Sequence, residues 1–145
     1  MSLLTDTRQY STFSVDGLFF GVEVSRVQEV IRYQEMTPVP IAPPAVGGLI
    51  NLRGQIVTAI DLRQRLGLGT RPDGRLPMNV VLRTDDGAVS LLVDEIGDVL
   101  DVTDETFEAP PETLHGAARE LILGAHKLAG RLLLVLDTDR AVTLT

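Results

Sequence analysis

Apolar residues along the chain come in short runs cut by Asp-Gly, Gly and Pro turns, and the runs recur in the same order in the two halves. Phe13–Val24 holds two apolar runs around Asp16-Gly17, and Val81–Val93 holds two around Asp86-Gly87. Strand, Asp-Gly, strand is the strongest short-range hairpin signal, because Asp and Gly tolerate the positive φ such turns need. Val27-Gln28-Glu29-Val30-Ile31 follows the first hairpin, and Ile96-Gly97-Asp98-Val99-Leu100 follows the second. The proline pairs Pro38/Pro40 and Pro110/Pro111 come next. Gly48–Leu62 then aligns without a gap on Gly124–Thr138. Gly48 falls on Gly124, Leu52 on Leu128, Gly54 on Gly130, Ile60 on Leu136 and Asp61 on Asp137. Each copy reads as a hairpin with a buried second strand, turned at Gly54 or Gly130. Four landmarks in one order, twice, indicate an internal duplication.

Helical patterns are brief. Asp61 is a good N-cap for a short helix Leu62–Leu66 closed by Gly67, and Ala117–Leu121 is a second candidate. Gly67–Arg75, rich in Gly, Pro and charge, is the expected connector. The fold is therefore expected to be mainly β, a single domain of two small antiparallel barrels with a cleft between them. The first subdomain is expected at about 13–75 and the second at about 80–145, with the N-terminal segment packing on the second.

With 44% hydrophobic residues the chain can bury a real core, so disorder is not expected. There is no cysteine, which removes disulfides, thiolate catalysis and Cys-based zinc sites and fits a reducing cytoplasm. Met1–Arg8 lacks the basic and apolar regions of a secretory signal, and no apolar run approaches the ~20 residues that span a bilayer. The net charge is −7, and between Arg83 and Arg119 ten acidic residues stand without one Lys or Arg. That balance repels phosphate backbones, and two tyrosines and four phenylalanines offer little for base stacking. The acidic run is either a solvated face or a steering surface for a basic partner.

Candidate chemistry is nearly absent. His115 and His126 belong to no metal-ligand spacing, and His126 is expected at the surface. No serine lies in Gly-x-Ser-x-Gly, and adjacent Asp94 and Glu95 would point to opposite faces of a strand. No metal or cofactor is expected. A hydrolase would need carboxylates converging from distant positions.

The duplication supplies an internal control. Leu52, Gly54 and Asp61 recur in the second copy, whereas Asn51 and Arg53 are replaced by Lys127 and Ala129. The hairpin thus tolerates alanine where Arg53 stands, so Arg53 serves function, one specific salt bridge, or nothing beyond a turn-side charge. Glu29 is its expected partner. If Val27–Ile31 is helical, Val27, Val30 and Ile31 form an apolar stripe that is either core or the lining of the cleft.

Val27-Gln28-Glu29-Val30, then Gly47–Val57 with Asn51-Leu52-Arg53-Gly54, Asp61-Leu62-Arg63, and Leu92–Leu100 with Val93-Asp94-Glu95-Ile96, closely resemble the CheW-type chemotaxis coupling proteins. The resemblance runs from about Phe13 to the C-terminus. It implies two five-stranded SH3-like barrels and no enzymatic activity. It implies a cytoplasmic adaptor between the tip of methyl-accepting chemoreceptors and the regulatory domain of a histidine kinase, through which receptor state controls autophosphorylation. The alternative is a scaffold of a non-flagellar chemosensory pathway. It further implies a receptor-binding groove between the subdomains, at Val27, Glu29, Val30, Asn51, Arg53 and Val99, with Gly54 and Gly130 as structural turns. The chain is too short for a kinase's ATPase portion, and no receiver domain follows Asp137, so a stand-alone adaptor is expected.

Overall fold

Asp16 and Gly17, both at positive φ, turn the chain between β1 (Thr7–Val15) and β2 (Leu18–Glu23), as the Asp-Gly pair requires. This is the computed structural model, and it describes residues 7–72 and 74–144. The segment read above as lacking a signal lies almost wholly outside the described residues, as does Asp73 of the connector.

After β2 come β3 (Val27–Ile31), the hairpin β4 (Val46–Leu52) and β5 (Gln55–Asp61), and helix α1 (Leu62–Arg65). Asp61 caps α1 by accepting the Arg63 N–H at 3.0 Å, and Gly67 (φ 73°) follows it. The second half repeats the order. It has the hairpin β6 (Met78–Thr84) and β7 (Gly87–Val93), then β8 (Glu95–Thr103), the two-residue β9 (Phe107–Glu108) and helix α2 (Gly116–Glu120). The hairpin β10 (Ile122–Leu128) and β11 (Arg131–Leu136) and helix α3 (Thr138–Val142) complete it. Asp137 caps α3 as Asp61 caps α1.

The strands form two sheets, ordered β8-β1-β2-β11-β10-β9 and β3-β6-β7-β5-β4. One has the five strands expected, and β9 adds a sixth to the other. The boundaries expected at 13–75 and 80–145 do not describe these sheets. β1-β2 sits in the sheet built from the second half, and β6-β7 sits in the sheet built from the first. The repeats have exchanged their first hairpins. The exchange is symmetric: Leu134 pairs with Phe20 in the parallel contact β2·β11, and Thr58 pairs with Val89 in the parallel contact β5·β7. Hydrophobic patterning fixes which face of a strand is buried, but it does not say which neighbour the strand takes.

The largest core cluster is shared by both sheets. Phe13, Phe20 and Leu134 of one meet Ile60, Leu82 and Leu91 of the other, closed by Leu62 of α1 and Ala141 of α3. Smaller clusters fill each sheet's other side, around Ile50, Leu52 and Val81 in one and around Tyr10, Val102 and Leu133 in the other. The seam between the subdomains is thus the main hydrophobic core for much of its extent.

Val27–Ile31 is a strand, not a helix. A bulge between Val27 and Glu29 shifts its register, so Val27 opposes Leu82 and Val30 opposes Val80, and the two valines share a face by way of the bulge rather than by helical spacing. His126 corrects a second expectation: it is fully buried. It lies between the rings of Tyr10 and Phe107, at centroid distances of 5.6 and 5.2 Å, with Nδ1 2.7 Å from Thr106 Oγ1. Burial pushes its imidazole below the ordinary histidine pKa.

The loop Thr37–Pro44 carries the one β-branched residue at positive φ among the described residues, Ile41 (φ 58°), which is fully exposed. A branched side chain there is strained by about 1–2 kcal/mol, and solvent exposure returns nothing. Asn tolerates this conformation, so Ile41→Asn is expected to raise the melting temperature by about 3 °C, measured by thermal denaturation. An unchanged or lower value would show that the loop relaxes around Ile41.

Candidate functional site

Arg53 and Gly54 are the two central residues of the β4–β5 turn, at φ 51° and 88°. Positive φ at both is the type I′ signature, which matches strand twist. Asn51 secures the turn: its Oδ1 accepts the Gly54 N–H at 2.8 Å. The second copy turns differently. Ala129 keeps a negative φ and only Gly130 (φ 79°) crosses over. Arg53 and Ala129 are therefore equivalent in sequence but not in backbone conformation. Gly54→Val would place a β-branched residue at φ 88° and is expected to destabilise the protein by about 2–3 kcal/mol in urea denaturation. Undiminished stability would mean that the turn does not depend on its glycine.

Strands β3 and β4 are opposite edges of the five-stranded sheet. Even so, Arg53, at the end of β4, reaches Glu29 on β3. Its Nη1 donates to Glu29 Oε1 at 3.2 Å, and its Nη2 donates to Oε2. The sheet must curl for its edges to meet, and this two-pronged ion pair spans the gap. The Arg53 side chain is 72% exposed and that of Glu29 20%, so the arginine is presented outward from a partly shielded anchor. The Arg53 hydrogen bonds hold the Glu29 carboxyl below its usual range, and Glu29 in turn raises the Arg53 guanidinium.

The other predicted residues separate into three groups. Val30 (37% exposed) follows Glu29 on the same edge strand, and Val99 (56% exposed) takes the corresponding place on edge strand β8. Their registers correspond, Val30 opposite Val80 and Val99 opposite Ser11. Val27 packs against the shared core and is not free to anchor a partner. The Asn51 side chain is engaged by its own turn.

Sequence reasoning missed two features. Ile56 is exposed on β5 opposite Asn51 and, with Met36 and Leu49, lines a depression of about 580 Å³ beside the Arg53 turn. A strand beginning Gln55-Ile56-Val57 gives no sign of which apolar residue faces out. The second is an ion cluster of Arg63, Arg71 and Asp94, concealed because Asp94 belongs to an acidic run that reads as solvated. Among the described residues no group of three or more His, Asp or Glu could hold a metal, and no helix is long and apolar enough to cross a membrane.

Comparison with known proteins places this geometry. The family model described as CheW-like domain matches residues 9–144. The chemotaxis protein CheW of Treponema pallidum is 30% identical over 144 residues, covering 97% of this chain and 85% of its own. That of Bacillus subtilis is 32% identical over 127 residues, covering 88% and 81%. In structure, the scaffolding protein TtCheW of Thermoanaerobacter tengcongensis superposes with a TM-score of 0.80 at 24% identity, over 90% of this chain and 89% of that one, which speaks to the fold. The matched region takes in both sheets, the Arg53 turn and both edge strands, and the chain belongs to the CheW-like family.

Proposed function

We propose that this protein is a non-enzymatic signalling adaptor of a chemotaxis system, coupling methyl-accepting chemoreceptors to a histidine kinase so that receptor state sets kinase autophosphorylation. The single observation that carries the reading is the Arg53–Glu29 pair, an outward-facing arginine held on a carboxylate across the open side of a curled sheet, next to exposed Val30. Family membership supports it: curated relatives of this length are named chemotaxis proteins, and one solved relative is named a scaffolding protein.

An adaptor works by joining two binding equilibria, so it needs two surfaces and a bias passed between them. The receptor-side surface is proposed at Glu29, Val30 and Arg53, with Val99 contributing from the second edge strand. Apolar anchors beside a charged rim are the usual anatomy of a recognition surface. The surface for the kinase regulatory domain is proposed on the six-stranded sheet, and action in the cytoplasm is part of the same reading. Each contact can be weak if many are made together in an array.

The test is reconstitution: kinase autophosphorylation measured with receptor fragments, with and without this protein. Receptor-dependent phosphorylation only when the protein is present is the expected result. No dependence, with active cognate partners, would sink the reading.

A further inference from the structure

Asp94 is the single residue between β7 and β8, so it stands where the chain passes from the five-stranded sheet to the six-stranded one. Its side chain is only 12% exposed and joins four segments. Arg63 of α1 forks onto it, Nε to Oδ1 at 3.0 Å and Nη2 to Oδ2 at 2.7 Å. Arg71 of the connector donates from Nε to Oδ1 at 3.2 Å. The Asp16 N–H, in the β1–β2 turn, donates to Oδ2 at 2.7 Å. Asp94 returns its own N–H to Ser14 O at 3.0 Å. The same Arg63 guanidinium also holds the connector, with Nη1 donating to Gly69 O at 3.1 Å and Thr70 O at 3.2 Å.

Other charges face this centre. The Asp16 carboxylate lies 3.4 Å from Arg63 Nη1, Asp61 lies 3.6 Å from Arg71 Nη2, and Arg75 pairs with Glu95 at 3.2 Å on the rim. Arg71 Nη2 is buried without a hydrogen bond among the described residues, and a depression of about 270 Å³ opens beside it. Leu68 packs on the shared core, whereas Gly69–Pro72 contribute no side chain to it. Beyond Leu68, hydrogen bonds and ion pairs centred on Arg63 and Asp94 tie the connector down.

We propose that this junction is a clasp that opens locally, with Asp94 as its pin: loss of the Asp94 carboxylate releases the connector and the β1–β2 turn together while both sheets stay folded. The physical ground is the difference in what holds each part. Polar bonds beside an open depression exchange with water once they part, whereas the shared apolar core does not depend on them. Removing one member of a buried charge network leaves the others uncompensated, and without Asp94 the Arg63 guanidinium keeps only the 3.4 Å contact with Asp16 to balance its charge. The inference goes beyond the adaptor reading and does not need it, although a protein that passes a bias between two surfaces requires an element with two positions.

Burial alone would push the Asp94 carboxyl up, but hydrogen bonds from Arg63 and the Asp16 N–H outweigh it and hold the group below its usual value. The clasp is therefore complete above the ordinary Asp pKa of about 3.9 and is lost as pH falls through the lower folded value. Asp16, Asp61 and Glu95 face the same centre, so the substitution is a cleaner probe than pH.

The experiment is amide hydrogen exchange on the full chain carrying Asp94→Asn. Protection of the Asp16 and Leu68 amides is expected to fall at least about tenfold, with β7 and β11 amides unchanged, since local opening is separable from global unfolding. Arg71→Gln removes one tie of the connector and leaves Arg63 on Gly69 O and Thr70 O, so it should loosen Leu68 less than Asp94→Asn does and spare Asp16. Unchanged protection in Asp94→Asn, an equal loss throughout the molecule, or failure of that variant to fold would each overturn the proposal.

Discussion

Arg53→Ala is expected to abolish receptor-dependent control of the kinase while moving the melting temperature by no more than about 3 °C. The second half follows from exposure, since an ion pair whose arginine is 72% exposed contributes little to folding. It does not follow from the alanine at position 129, because Ala129 and Arg53 differ in backbone conformation. Alanine at φ 51° carries the same Cβ as arginine, so the turn gains no new strain, and Asn51 still caps it. The first half follows from the shape of the contact. Glu29 fixes both prongs of the guanidinium from one side and leaves its other edge to solvent. Arg53→Lys should lose control too, since an ammonium cannot reproduce the planar fork. The double exchange Arg53→Glu with Glu29→Arg separates two meanings of the pair. It restores an ion pair across the sheet edges but presents the opposite charge. Control that stays lost in the double variant assigns the role to Arg53 itself. Control that returns would reduce Arg53 to a fastening of the sheet. A depressed melting temperature in Arg53→Ala would refute the stability half.

Phe13→Ala should destabilise the protein by about 3–5 kcal/mol, lowering the melting temperature on the order of 10 °C. Phe13 is fully buried in the core shared by the two sheets. It stands directly opposite Phe20 across the β1–β2 hairpin, with the rings stacked at 5.9 Å. Truncation thus removes a cross-strand aromatic pair and leaves a cavity lined from both sheets. Phe107 is a useful contrast. It also touches a ring, that of His126, but it is half exposed on a two-residue edge strand. Phe107→Ala should cost clearly less. Urea denaturation of both variants decides the matter: similar losses would mean that the shared core is not where the stability lies.

Local features were legible in the sequence. The Asp-Gly hairpin at Asp16-Gly17, the glycine turns at 54 and 130, the Asp61 cap and the duplication all rest on interactions a few residues apart. The pairing of Arg53 with Glu29 was legible because one repeat has it and the other does not. What failed depended on distant neighbours. The choice of sheet for each first hairpin is settled by pairing with strands far along the chain, which no local period reports. Val27–Ile31 was ambiguous because five residues satisfy a helical spacing and a strand equally well. His126 was misread although the sign was present: the repeat sets it on Ile50, and Ile50 is buried. A polar residue at an inward position asks for a partner, and Thr106 supplies it. Asp94 was hidden among nine other acids, and only its two arginine neighbours reveal that it is not at the solvent face.

The exchanged hairpins also govern how the molecule comes into being. The sheet that begins with β1 cannot be finished until β11 has been made, and the sheet that begins with β3 waits for β7. The five-stranded sheet, whose strands run unbroken from β3 to β7, is therefore complete once Val93 has been made, whereas the first hairpin must wait for β8 and β11 with its apolar face bare. The arrangement is that of two half-length chains clasping each other's arms, later tied into one by the connector. Cutting that connector would not give two independent bodies. It would give two pieces that can only fold together, and in this protein the unit of folding is the pair.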